Sequence, residues 1–153
     1  MRFLNTAALS VAALTGLSQA VGNATVVNEC SFPVYVWIVG STISQVNTLD
    51  YGQDISGPFY VDPKSGGIAI KITTDPNGLF DGAAQTIFAY TLDGSNVWYD
   101  ASDVFGDAFS GHPVSLIPSD TSCPSLIWPN GVPPAGSEVK VCESNTNLVF
   151  TLC

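Results

Sequence analysis

An all-β sandwich is the fold class this sequence predicts, and three observations predict it. Gly, Pro, Asn, Asp and Ser punctuate the chain every ~8–12 residues, apolar residues alternate in the short runs between them, and helical periodicity never persists. Two of the runs, Val26-Val27-Asn28-Glu29-Cys30 and Leu148-Val149-Phe150-Thr151-Leu152-Cys153, close on a cysteine. Strands that finish in this way cannot fray if a bridge ties them where they meet.

The elements follow in order. Met1-Arg2 is a short basic start, Phe3 to Leu17 an apolar stretch, and Ser18-Gln19-Ala20 offers the small residues a signal peptidase needs, so residues 1–20 are expected to be a signal peptide. Removing twenty of the 153 residues leaves 133, a common size for one domain, and residues 21–153 are expected to form it. Val34 to Val39 is β-branched and aromatic without alternation, the mark of a strand covered on both faces. Gly66-Gly67 then turns into Ile68, Ile70 and Ile72 facing one way, with Ala69, Lys71 and Thr73 facing the other. Thr86 to Leu92 places Phe88, Tyr90 and Leu92 inward, Asp93-Gly94 marks a turn, and Val97-Trp98-Tyr99 returns as a hairpin. Ser137 to Val141 and Leu148 to Leu152 supply the last strands, and no later run reaches the eighteen or so apolar residues of a membrane span.

All four cysteines (Cys30, Cys123, Cys142, Cys153) follow the leader, as full pairing on an oxidising route requires. Of the three possible connectivities, Cys30 with Cys153 and Cys123 with Cys142 is favoured. The first joins the terminal strands and the second closes the Pro/Gly-rich excursion from Pro124 to Gly136. No CxxC pair exists and His112 is the lone histidine, so no metal or cofactor is expected. Loss of Arg2 with the leader leaves three lysines against thirteen acids, which excludes a phosphate-binding stripe and hence nucleic acid as a partner. Ser115 and Ser125 lie in no GxSxG context, and no P-loop, GxGxxG or EF-hand spacing is present. Among the aromatic residues, Trp37 and Trp98 are expected in the core, and Trp128 and Tyr51 at the surface as ligand contacts.

Three separated blocks carry a resemblance. Val27-Asn28-Glu29-Cys30-Ser31-Phe32-Pro33-Val34 resembles the opening strand pair of thaumatin-like proteins. Phe88 to Leu92 followed by Trp98-Tyr99-Asp100-Ala101-Ser102-Asp103-Val104 resembles the strand that leads into that family's Tyr-Asp-x-Ser segment, and Phe150-Thr151-Leu152-Cys153 resembles its close. With Ser122-Cys123 and Trp128-Pro129-Asn130-Gly131, the chain is similar to the small fungal branch that includes the blastomyces yeast-phase-specific family and the antigenic thaumatin-like proteins.

The resemblance implies a sandwich with its first and last cysteines bridged, without the extra disulfide-rich domain that forms one wall of the acidic cleft in larger plant relatives. It also implies where such a cleft would lie. Asp100 stands at the family's aspartate, Asp103 or Asp107 is a candidate second acid, and Lys71 approximates the cleft arginine; the cleft glutamate falls on Ala89. Glycoside hydrolysis needs two carboxylates, about 5–5.5 Å apart for retention or 6.5–9.5 Å for inversion. Taken by themselves, Asp100, Asp103 and Asp107 are ordinary turn and capping acids. The expectation is a monomeric, non-catalytic binding or antigenic protein, secreted or in the cell wall, whose partner is β-glucan, another wall polysaccharide or a host surface or matrix protein. The alternative is a weak β-1,3-glucan hydrolase or a defence-type antifungal.

Asn23-Ala24-Thr25 is an N-x-T acceptor. Protein secreted from a fungal host should begin at Val21 and lose mass at Asn23 on glycosidase treatment. Intact-mass analysis checks both, and an unchanged mass contradicts glycosylation.

Overall fold

The computed structural model describes residues 20–153, so the expected leader lies, apart from Ala20, outside the described residues. In chain order the elements are β1 (Asn23–Asn28), β2 (Val34–Val39), β3 (Asn47–Leu49), β4 (Gln53–Pro58), β5 (Ile68–Thr73) and a single helical turn α1 (Gly78–Asp81). Then come β6 (Gln85–Asp93), β7 (Asn96–Val104), β8 (Val114–Pro118), β9 (Leu126–Trp128), β10 (Lys140–Glu143) and β11 (Leu148–Leu152). They form a five-stranded sheet, β4-β1-β11-β8-β9, and a six-stranded sheet, β10-β7-β6-β5-β2-β3. The β-sandwich read from the punctuation is the fold.

Alternation decides what lies between the sheets. Val26, Leu148, Phe150, Leu152, Leu116 and Trp128 come from one sheet and Val36, Ile70, Ile72, Phe88, Tyr90 and Tyr99 from the other, all buried. The rings of Phe88 and Phe150 meet across the interface at 5.5 Å between centroids, and a buried phenylalanine of this kind contributes about 2–3 kcal/mol. The hairpin of β6 and β7 is the longest ladder, running from Gln85↔Val104 to Asp93↔Asn96. Gly94 takes the left-handed conformation (φ 59°) that a two-residue turn requires.

β1 and β11 pair in parallel, from Ala24↔Leu148 to Asn28↔Leu152. They are interior strands of their sheet, flanked by β4 and β8, and do not close its edge. Because they run the same way they leave the sheet at the same end, where Cys30 and Cys153 are bridged with Cα atoms 4.9 Å apart. Cys123, in the β8–β9 connection, is bridged to Cys142 on β10 at 5.7 Å. This second bridge joins the two sheets, a role the excursion-closing expectation did not include. Both pairings are those favoured from the sequence.

Asn28 completes the bridged end. Its side chain is fully buried, donating from Nδ2 to the carbonyls of Phe32 and Leu49 (2.9 Å each) and accepting the Cys30 amide at Oδ1 (2.9 Å). An amide buried with every contact made costs little, whereas one stripped of partners would cost about 1–3 kcal/mol.

The two disulfides span sequence separations of 123 and 19, for which loop-closure entropy gives upper values of about 5 and 3 kcal/mol. Replacing Cys30 and Cys153 together by Ser should therefore lower the melting temperature more than replacing Cys123 and Cys142. Thermal unfolding of the two double variants checks the order, and the reverse order contradicts the loop-length account.

Candidate functional site

The outer face of the six-stranded sheet carries two depressions, and strand register sets what it displays. One row across the strands reads Trp37, Lys71, Ile87, Ser102. The next reads Val39, Ala69, Ala89, Asp100. The third is Thr91, Trp98 and Val141. Small side chains in the middle row, with larger ones on both sides, leave a trough across the strands. Two contiguous depressions make it up: one of about 150 Å³ lined by Ala89, Trp98, Asp100 and Val139, and one of about 500 Å³ lined by Val39, Gly40, Gly67, Ala69 and Thr91.

Asp100 stands at one end of the floor, directly across from Ala89. Burial holds its carboxyl above the usual range, the Glu138 charge adds to this, and the Ala101 amide and Lys140 act in the other direction. Glu138 is a residue the sequence reading did not single out. It is fixed by Trp128, whose indole N–H donates to Glu138 Oε2 at 2.5 Å, and Tyr99 donates its hydroxyl to the Pro124 carbonyl at 2.5 Å. These two bonds fold the excursion back so that Val139 walls the trough beside Asp100.

The assignment of tryptophans is thereby corrected. Trp128, expected at the surface, is 1% exposed and fastens the excursion, while Trp98, expected in the core, is 43% exposed on the trough rim. Val97 and Tyr99 occupy the inner face of β7, so alternation leaves only the outer face to Trp98. Trp37 is buried as expected, on the outer face, with Phe80 of α1 edge-on to it at 6.5 Å. Tyr51 is exposed, in the turn between β3 and β4 and outside the trough.

The four residues expected to share an acidic cleft do not converge. Lys71 is on the outer face, but one row and two strands from Asp100. Asp103, three residues beyond Asp100 on the same strand, points to the opposite face, where its Oδ1 accepts the Thr86 hydroxyl at 2.6 Å. Asp107 lies past the end of β7, near enough for its charge to act on Asp103, whose buried Oδ2 has no hydrogen-bond partner. Among the described residues, the one cluster of metal-type ligands is Asp120 with Cys123 and Cys142, whose sulfurs are tied to each other.

The other end of the trough depends on Asp62. Its carboxylate accepts the amides of Lys64 (2.9 Å) and Ser65 (2.8 Å) at Oδ1, and the amide (3.0 Å) and hydroxyl (2.7 Å) of Ser41 at Oδ2. These bonds, the Ser65 amide foremost, hold its pKa well below the usual carboxylate range. They clamp the turn after β2 to the loop before β5. A Cβ at Gly40 would come within 2.8 Å of Asp62 Oδ2, so glycine is what lets the two loops close.

Burial, with a smaller effect from Asp107, pushes Asp103 up to about 6 against the Thr86 hydrogen bond. A raised carboxyl means that the folded state holds its proton more tightly than the unfolded chain does. Stability from this group is complete below the ordinary value of 3.8 and is lost as pH rises through about 6. For a half-solvated group the loss is on the order of 1 kcal/mol. Asp103→Asn should flatten the decline in stability between those limits and raise the melting temperature at neutral pH, as thermal melts across that window would show. An unchanged slope contradicts the assignment.

Comparison with known proteins agrees with this architecture. The family model described as Blastomyces yeast-phase-specific protein matches residues 11–153. The antigenic thaumatin-like protein of Arthroderma benhamiae is 33% identical over 165 residues, covering 97% of this chain and 83% of its own. The secreted thaumatin-like protein calA of Emericella nidulans is 33% identical over 144 residues, covering 86% and 81%. Among solved structures, the protein elicitor MoHrip2 of Magnaporthe oryzae superposes with a TM-score of 0.71 at 23% identity, over 86% of this chain and 98% of that one. The thaumatin-like xylanase inhibitor TLXI superposes at 0.57 with 15% identity, over 85% and 98%. At those identities the structural likeness establishes the fold alone, and the sequence matches establish the family. The chain belongs to the Blastomyces yeast-phase-specific family and is a fungal thaumatin-like protein.

Proposed function

We propose that this is an extracellular binding protein without catalytic activity, which presents the trough of the six-stranded sheet to a neutral cell-wall polysaccharide. The observation that carries the reading is the composition of the trough. Its floor is Ala69 and Ala89, its rim is the exposed ring of Trp98, and Asp100 stands at its end. A tryptophan face stacks on the apolar face of a sugar ring, and a carboxyl accepts or donates to hydroxyls. Four strands at about 4.8 Å spacing give a floor about 14 Å long, enough for a short stretch of glycan. Export is supported by the two disulfides, by the family and by the names of the two fungal relatives, one secreted and one antigenic. The leader over residues 1–20 and a glycan at Asn23 belong to the same reading. Asn23 is exposed at the start of β1, in the other sheet, so a glycan there would leave the trough clear.

Hydrolysis is the second reading, favoured by the Glu138 charge beside Asp100. Against it, the residue across from Asp100 is Ala89, and Glu138 is already engaged by Trp128.

Depletion of the mature protein onto insoluble β-1,3-glucan and onto chitin, with released sugar assayed in the same tubes, tests both readings. Binding without sugar release is expected. Trp98→Ala should weaken it about tenfold at an unchanged melting temperature. No binding to either polymer contradicts the polysaccharide reading. Turnover that disappears in Asp100→Ala, with folding intact, replaces it with the hydrolase.

A further inference from the structure

The rings of Phe80 and Phe105 are 70% and 74% exposed. Both belong to the same end of the six-stranded sheet. Phe80 lies on α1 between β5 and β6, and Phe105 follows β7, whose Val104 pairs with the first residue of β6. A Cβ at Gly106 would lie 3.4 Å from that of Ala84, so the two connections touch.

Phe105 has a backbone φ of 61°. This left-handed conformation costs a phenylalanine free energy that glycine would not lose. The side chain gains no burial in return, because Phe105 is left in water. The loop around it is nonetheless well anchored. Phe109 is fully buried, its carbonyl accepts the His112 amide at 2.8 Å, and the Gly111 amide donates to the Asn130 carbonyl at 2.8 Å. An exposed aromatic held on an ordered loop is a rigid anchor that loses little entropy on docking.

Charge identifies the kind of partner. The exposed Asp75 and Asp81 flank Phe80 in the chain and the exposed Asp107 follows Phe105; the nearest lysine by register is Lys71, paired with Trp37. An acidic border of this kind repels anionic surfaces and attracts cationic ones. We infer that this end of the sandwich is a second interaction surface, bordering the trough at Trp37 but centred on other residues, which docks a basic protein segment by inserting Phe80 and Phe105 into its apolar face.

The probe is a synthetic amphipathic peptide of leucine and lysine, titrated into 15N-labelled mature protein and followed by amide chemical shifts, with neutral phosphatidylcholine vesicles in a parallel titration. The expected shifts fall on residues 78–82 and 104–107 and weaken as salt is raised from ~50 to ~300 mM. The pair F80S/F105G should reduce peptide affinity at least tenfold. Phe105→Gly alone should melt at or above the wild-type temperature, since it relieves the strained backbone, and should still weaken binding. The inference is overturned by the absence of shifts, by shifts confined to the trough residues Ala69, Ala89 and Asp100, or by binding to vesicles without binding to peptide. It is also overturned if Phe105→Gly binds the peptide as well as wild type. Polysaccharide binding in the trough is read at different residues, so either surface can fail without the other.

Discussion

Two strands that pair in parallel leave their sheet at the same end, and the pairing of β1 with β11 therefore decides much of what surrounds it. Cys30 and Cys153 meet only because the strands share a direction. Asn28, the last residue of β1, is carried to the point where its amide can reach Leu49 in the opposite sheet as well as the turn that holds Cys30. One junction thus combines a covalent tie within one sheet and a buried polar tie between the two. A polar tie of this kind is directional, which apolar packing is not, so it constrains the register of β3 over β1 as well as their proximity.

The sandwich leaves the outer face of the six-stranded sheet free to carry a site, and features remote from that face shape it. The trough exists because Ala69 and Ala89 are small, but its two ends are set by polar bonds. Trp128 draws Glu138 inward and brings Val139 to one wall, and Asp62 gathers two loops at the other. The disulfide from Cys123 to Cys142 fastens the outermost strand that bears Val141. A concave surface supported in this way is largely preformed, so a ligand need not pay the full entropy of ordering it.

Much of the fold was legible in the sequence because alternation is a local property. Ile68, Ile70 and Ile72, and then Phe88 and Tyr90, announce their faces directly. β4 could not be read this way: Gln-Asp-Ile-Ser-Gly-Pro has no apolar face to announce, and it forms by pairing with β1 at a sheet edge. β8 and β9 are short and are defined by their partners. The exchange of Trp98 and Trp128 was avoidable in part. Once Tyr90 is taken inward and the hairpin turns at Asp93-Gly94, its partner Tyr99 must also face inward and Trp98 outward. The same parity separates Asp100 from Asp103, whatever a family motif implies about a shared cleft. Glu138 carried no local signal, and although Asp62 and Asn28 bond amides two or three residues on, as a turn-forming Asp or Asn does, their ties to Ser41 and Leu49 depend on partners distant in sequence.

The parallel pair also has a kinetic consequence. β1 is made early and is flanked on one side by β4, some thirty residues on, but its other neighbour consists of residues 148–152. Until that segment is available, half of the hydrogen-bonding edge of β1 is open, and the five-stranded sheet lacks its centre. Contacts separated by more than a hundred residues are the slowest to form, because the entropy of closing so long a loop is lost before any favourable contact is gained. Nascent chains should therefore spend their synthesis as a partly assembled six-stranded sheet with an unpaired strand edge exposed, the kind of intermediate that chaperones bind and that aggregates when they are scarce.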